Sequence, residues 1–572
     1  MGYKEKASRD QIMLLPDSID EYVGEDNPVR VIDAFVDSLD LTSLEFTKSI
    51  PADTGCPAYD PADILKLYIY GYYNRIRSSR KLMVECGRNV EVMWLIGKLR
   101  PDFRTISDFR KENAKSLKLV FKEFVKLCDK LKLYNKELLA IDGTKIRAQN
   151  SNDKCFNADI LQKKLANIDE HISEYLQAME KTDKAEHDEA LTPEQVKAAL
   201  KDLTSRKEKY EGYLVELAET GKTQILETDP EAHRMHSRNG FHCCYNVQTA
   251  VDSGSHLIAD YDVSSQNTDQ GLLNGLCKSA KKTLGVDTIE IVADKGYESR
   301  EDILNCLMDG TVPNVGQKYD KDERIYNLDY EALENAEELK TSTKAEDIEK
   351  CLRAGVLPDC YEGTAVSIEV QELSTISCFI RNNDETVTCP MGETLRKTCT
   401  KGNKTEYASH EACRQCKHRC TTSSRPKTVC FGPETTHVAV RMYGNPRHKV
   451  NELPEGFTPH NAFFKKDWQK KRVVLRIRED KAKQHERMCT SEHAFGTVKW
   501  YNGAHYVLCR GKEKVAGELG LSFLTYNIRR AITLVGVQKL IEAARGEIIE
   551  GISLFFVIIA AKTRNVRNQG VC

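Results

Sequence analysis

Three acidic residues, far apart in the chain, stand where their chemistry could be used. Asp294 closes the apolar run of "IVADKGY" (291–297), and Asp142 follows Leu138-Leu139-Ala140-Ile141 in "LLAIDGT". Each is followed within two residues by a glycine, Gly143 or Gly296. Glu492 lies in "MCTSEHAFGTVKW", where Met488, Glu492, Phe495 and Lys499 step by 4, 3 and 4. That spacing puts the four on one stripe of a helix expected over about 478–500, so the carboxylate is predicted to face inward. A buried acid is costly unless it is paired or binds a metal. Lys499 is the available ion-pair partner, which gives Glu492 a purely structural alternative. Arg487 falls roughly 140° around the helix from the stripe and is predicted to point away from it, toward a phosphate-bearing partner.

Taken together, Asp142, Asp294 and Glu492 fit hard divalent ions, Mg2+ or Mn2+, which take oxygen ligands and retain water. Two such ions about 4 Å apart can activate an attacking oxygen and stabilise a leaving one at phosphorus. Asp252 in "QTAVDSG" looks similar and is a decoy. A second metal set is sulfur-based: Cys389, then Cys413, Cys416 and Cys420, a Cys-x2-Cys-x3-Cys cluster with one cysteine upstream. It fits tetrahedral zinc, with Cys399, Cys430 and His418 as substitutes and unbridged loop thiols as the alternative. Four protein ligands would make this zinc structural.

Elements must hold these groups in place. The strand ending in Asp142 is followed by "HCCYNVQTAVD" and "HLIADYDVS", a hairpin turning at Ser253-Gly254. An amphipathic helix, "TDQGLLNGLCKSAKKTLG", then leads to the strand ending in Asp294. Strand, strand, strand, helix, strand is the topology of an RNase H-like mixed sheet. Between its parts, Leu161, Leu165, Ile168, Ile172, Tyr175 and Met179 keep a heptad frame that continues from Val196 to Leu217, with Lys207 as its polar member. This predicts a helical hairpin with a structural or partner-binding role.

The predicted class is therefore α/β (α+β) multidomain. An all-α DNA-binding domain (1–135) precedes the RNase H-like core (136–158, 223–315, 473–545). The core is interrupted by the hairpin (159–222) and by a cysteine-rich insertion (316–472), and a tail (546–572) follows.

Charge is local. The 572-residue chain has a net charge of -2, yet Arg75 to Lys132 holds sixteen Lys/Arg against seven Asp/Glu. Lys465 to Arg487 holds ten against four. Basic helices supply salt-dependent affinity for DNA phosphates, or they are simply solvated faces. Arg75, Arg77, Arg80 and Lys81 are the candidate DNA contacts. The N-terminus has no charged-then-apolar leader. The run Ile552–Ala561 is about half of a membrane span, which takes roughly 20 residues. A cytoplasmic protein with reduced or metal-bound thiols is expected.

"DGT" at 142, "ADKGY" at 293 and Glu492-x6-Lys499 resemble the catalytic blocks of bacterial insertion-sequence transposases of the DDE class. "PADILKLYIYGYYNRIRSSRKL", "RPDFRTISDFRKEN", "CYNVQTAVD", the cysteine insertion and "LSFLTYNIRRAI" are similar to one group of them, so the resemblance spans nearly the whole chain apart from its tail. It implies Asp142, Asp294 and Glu492 as ligands of two catalytic Mg2+ ions, and Lys499 and Arg487 as contacts to the transposon end. Also implied are double-stranded DNA partners (terminal inverted repeats and target) and a homodimer in the synaptic complex, without a membrane. The alternatives are an RNase H-like nuclease or resolvase without strand transfer, and a non-catalytic zinc-containing DNA-binding relic.

Overall fold

The computed structural model describes residues 18–51, 54, 57–182, 193–237, 240–317, 323–372, 377–416, 420–421, 425–440 and 471–547. The apolar run at 552–561 and the rest of the expected tail from 548 lie outside them, as does His418. The chain divides into two compact units: 1–306 with 313–319 and 480–572, and 307–312 with 320–479. Among the described residues no helix is long and apolar enough to cross a membrane.

The first unit begins with helices only: Pro28–Asp37, Pro61–Tyr73, Ser79–Arg88, Val90–Leu95, Phe103–Glu112 and Ala114–Lys130. Pro61 opens its helix, and the Asp60 carboxylate accepts from the Ala62 N–H at 2.8 Å. Proline is suited to that first position because its missing donor would be unpaired there anyway. From Ile64 to Tyr72 this helix is buried on every side, so it forms the middle of the helical region.

A six-stranded sheet follows. Gly240–Asp252 pairs on one side with His233–Ser237 and Ile258–Ser264, and on the other, antiparallel, with Leu138–Arg147. Leu138–Arg147 in turn pairs parallel with Ile289–Ala293, and Thr311–Val315 stands at the far edge. Leu273–Leu284 and the long helix Lys512–Val535 pack on Ile258–Ser264, and Lys512–Val535 also packs on Ala114–Lys130. The architecture is mixed α/β.

The first strand does not stop at Asp142 as its apolar run predicts. It continues to Arg147, because its antiparallel partner is long enough to pair Arg147 with Cys244. What stops is the parallel pairing, whose last rung is Ile141 with Ala293.

The heptad segment forms helices Ala158–Thr182 and Pro193–Thr220, which pack together. Lys207, the polar heptad member, meets Asp169 at 2.7 Å. At the root, Cys155–Phe156 pairs with Ile225–Leu226, and Phe156, Leu161 and Leu217 form a small core.

The second unit holds a three-stranded sheet of Val366–Glu372, Lys471–Arg478 and Glu323–Asp329. It also holds a six-stranded sheet running in space as Val429–Phe431, Lys404–Ala408, Thr394–Lys401, Thr386–Thr388, Ser377–Arg381 and His437–Val440. The core of the latter is Phe379, Val387, Leu395, Tyr407, Val429 and Phe431.

Candidate functional site

Because the last parallel rung is Ile141 with Ala293, Asp142 and Asp294 are the next residues on two adjacent strands. Neighbouring strands lie about 4.8 Å apart, so the register alone brings the two acids together. The Asp142 Oδ1 accepts from the Gly143 N–H, and the Asp294 Oδ1 from the Gly296 N–H, both at 2.8 Å. A side chain at Gly143 would press on the Gln248 amide at 2.6 Å and on Asp269 at 2.8 Å. One at Gly296 would meet the Asp294 carboxylate at 2.8 Å. Both glycines therefore leave room for polar side chains of the site itself.

Burial pushes the Asp142 pKa above the ordinary aspartate value, and the Asp294 charge adds to it. Arg487, the Ser491 hydroxyl and the Gly143 N–H pull the other way without cancelling the rise.

The helix Lys481–Gly496 lies over the ends of these strands and continues as a π-turn at Thr497–Tyr501. Its entry is fixed by Asp480, which accepts from the Ala482 and Lys483 N–H groups. Lys483 meets both oxygens of Glu290 at 2.7 Å, and the Gln484 amide donates to the carbonyls of Ala293 and Asn314. One turn later, the Arg487 guanidinium stands 3.3 Å from the Asp142 carboxylate.

Two expectations are corrected here. Met488 is 49% exposed and Glu492 is exposed too, so the stripe does not face inward there, although Phe495 and Lys499 farther on are half-buried. The inward side carries Gln484, Arg487, Ser491, Ala494 and Val498 instead. Arg487 thus turns to the acids and not away from them. The reason is what the helix covers: polar strand ends, which attract an arginine and a serine where an apolar core would have attracted Met488. Lys499 reaches the same sheet edge, donating to the Thr144 hydroxyl at 2.8 Å and to the Lys145 carbonyl at 3.2 Å.

A third carboxylate at this edge, Asp269, escaped the sequence reading. It accepts from the Asn246 and Gln248 amides at 2.7 and 2.8 Å and lies 3.7 Å from the Lys145 amine. The usable signal was Asn246 and Gln248, two fully buried amides inside a mostly apolar strand, which need polar partners. Tyr297 donates its hydroxyl to the same Gln248. Asp252, the decoy, is fully buried and caps its hairpin through Ser255.

Among the four cations proposed in the helical region, Arg75, Arg80 and Lys81 are exposed, but Arg77 is not. Arg77 pairs with buried Glu518 at 2.7 Å and donates to the carbonyls of Gly503 and Tyr506. It is a packing group and presents no charge to solvent. A carboxylate 441 residues away was the missing information.

In the second unit, Cys389, Cys413, Cys416 and Cys420 line one small cavity beside Phe379 and Leu395. Burial pushes the Cys420 thiol up to about 12, with the sulfurs of Cys413, Cys389 and Cys416 adding to the rise. Cys399 and Cys430 lie elsewhere, both at the Glu406 carboxylate (2.9 and 3.8 Å). Among the described residues no three His, Cys, Asp or Glu side chains are gathered tightly enough to hold a metal ion. The donor types still suit the two expected metals. Two adjacent carboxylates with open coordination fit Mg2+, which commonly takes one or two carboxylates plus substrate phosphate. Four thiols around one cavity fit zinc.

Residues 17–112 match the family described as Transposase domain (DUF772), which covers under a fifth of the chain. No curated protein and no solved structure matches. The matched segment is the helical region and ends 30 residues before Asp142, so it supports a transposase relationship without touching the acid site.

Proposed function

We propose that the chain is a DDE-class transposase that binds the terminal inverted repeats of an insertion sequence and catalyses cleavage and strand transfer. The observation that carries this reading is the parallel register that sets Asp142 and Asp294 side by side under a basic helix. The strand order, with Leu138–Arg147 central and parallel to Ile289–Ala293, supports an RNase H-like core. The transposase-domain match in the helical region supports the substrate class.

Asp142 and Asp294 would hold Mg2+, which would supply Lewis-acid polarisation of the scissile phosphate. Glu492, next to Ser491 on the covering helix and exposed in this structure, would be the third carboxylate of the set. Arg487 balances the charge of the two acids and would be placed to meet a phosphate oxygen of bound DNA. Lys145 and Lys499 lie along the same edge and draw the DNA backbone in. Hydrolysis and strand transfer are both attacks of an oxygen nucleophile on a phosphodiester, so one site serves both. Cys389, Cys413, Cys416 and Cys420, which line one cavity, would close around a structural zinc that fixes the insertion. The working form is a homodimer, since two element ends are processed together.

Asp142→Asn is expected to abolish cleavage of a duplex carrying the element's terminal repeat while leaving repeat binding within a few fold; retained cleavage ends the assignment. A pre-cut end offered to target DNA separates transposase from nuclease, because only the former joins the strands. Metal analysis of the purified protein is expected to find one zinc per chain, lost with Cys413→Ser and Cys416→Ser together. Equal zinc in that double variant refutes the thiol site.

A further inference from the structure

Immediately after Lys499 the chain presents an aromatic surface to solvent. Trp500 is 71% exposed, and Tyr501 and Tyr506 are also exposed. The Trp500 ring stacks on His505 (centroids 5.8 Å apart, planes within 17°), and His505 meets Tyr506 edge-on at 4.9 Å. Arginines flank the surface: the Arg75 guanidinium lies 3.4 Å from the Tyr501 ring centre, and that of Arg529 5.3 Å from it.

This surface is built rather than loose. Buried Arg77 holds the Gly503 and Tyr506 carbonyls from beneath. Gly503, with φ of +71°, makes the turn that brings His505 back under Trp500. The Arg147 N–H donates to the His505 carbonyl, and the Val507 N–H to the Arg147 carbonyl, at 3.1 and 2.9 Å. The surface is thereby riveted to the strand that carries Asp142. Lys499, one residue before Trp500, touches Thr144, two residues along that strand. At about 3.3 Å per residue the Lys499 contact lies roughly 7 Å along the strand from Asp142, and the platform's own join at Arg147 roughly 16 Å along it.

An exposed indole costs solubility unless something covers it. A self-supporting aromatic stack, rimmed by arginines and fixed beside a phosphoryl-transfer candidate, matches one ligand chemistry: a base over a negatively charged backbone. In an intact duplex both faces of each base are already covered by neighbours, so the indole has a place only where a base has come out of the stack. We propose that Trp500, backed by His505, is the stacking platform for an unpaired base of the DNA substrate next to the Asp142–Asp294 site, with Arg75 taking an adjacent phosphate. This rests on the transposase reading and adds to it a requirement for locally opened DNA.

The test compares binding of an oligothymidine strand and of a mixed-sequence duplex of equal length to the full chain, for wild type, Trp500→Ala and Trp500→Phe. Thermal melting confirms that the variants fold. Trp500→Ala is expected to lose roughly tenfold or more in single-strand affinity while duplex affinity stays within about twofold. Trp500→Phe should recover most of the loss, since a phenyl ring still stacks. An unchanged Trp500→Ala, or an equal loss on both DNAs, overturns the platform while leaving the transposase reading in place. A wild-type chain that binds neither DNA overturns both.

Discussion

Two carboxylates in the first unit face arginines, and what surrounds them differs. Glu518 is fully buried and saturated: Arg77 lies 2.7 Å from it, and the Leu508 and Cys509 N–H groups donate to it at 2.8 Å. Burial alone would raise its pKa, but Arg110, Arg77 and the backbone donors hold it below the ordinary glutamate value. Asp142 has one arginine at 3.3 Å, a second acid beside it and a partly open face, and its pKa is raised. The first carboxylate has every lone pair answered and ties the helical region to the helix Lys512–Val535. The second has capacity left over, which is what a ligand-binding acid requires. A saturated acid serves stability, and an unsaturated one is kept for function at stability's expense.

The largest effect that could break this contrast is on folding. Glu518→Gln leaves two guanidiniums buried without a counter-charge and is expected to destabilise the first unit by about 3–5 kcal/mol in denaturant unfolding. A change below about 1 kcal/mol would make Glu518 no more structural than a surface residue.

The pH dependence should run in opposite directions. A lowered pKa means that Glu518 stabilises above the ordinary glutamate range, and this is lost as pH falls through its folded value. A raised pKa means that the Asp142 contribution is fully present below the ordinary aspartate range and is lost as pH rises through its folded value. Unfolding followed from acid to neutral pH should therefore show a flatter acid limb in Glu518→Gln. In Asp142→Asn, stability should fall less between acid and neutral pH. The same slope in both variants and wild type would erase the distinction.

The smallest effect sharpens the contrast most. Asp142→Asn should change stability by less than about 1 kcal/mol, in either direction, while removing cleavage. A loss as large as that of Glu518→Gln would move Asp142 into the structural class.

How much of this was legible depends on the range of each signal. Asp142 and Asp294 could be found because an apolar run followed by an acid and a nearby glycine is local. The hairpin after the first strand, the paired heptad helices and the four cysteines around one cavity were legible for the same reason. Glu492 was placed on the wrong face because an apolar stripe was assumed to mark the inside. Its helix covers polar strand ends, so its inner side carries Arg487 and Ser491 while Met488 points out. Arg77 was counted as a surface cation because nothing near it in sequence shows the carboxylate of Glu518. Asp269 was missed because its partners lie on a strand more than 20 residues away, and only the unusual amides Asn246 and Gln248 signalled it.

The central claim, that Asp142 and Asp294 form a phosphoryl-transfer site, is tested most directly by nicking of a labelled duplex carrying the element's own terminal repeat. Wild type and Asp294→Asn are compared, each with Mg2+ and with EDTA. The account predicts nicking at the repeat boundary by wild type with Mg2+ and none in the other three reactions. Equal nicking by Asp294→Asn, or binding of the repeat without nicking under any metal, would contradict it.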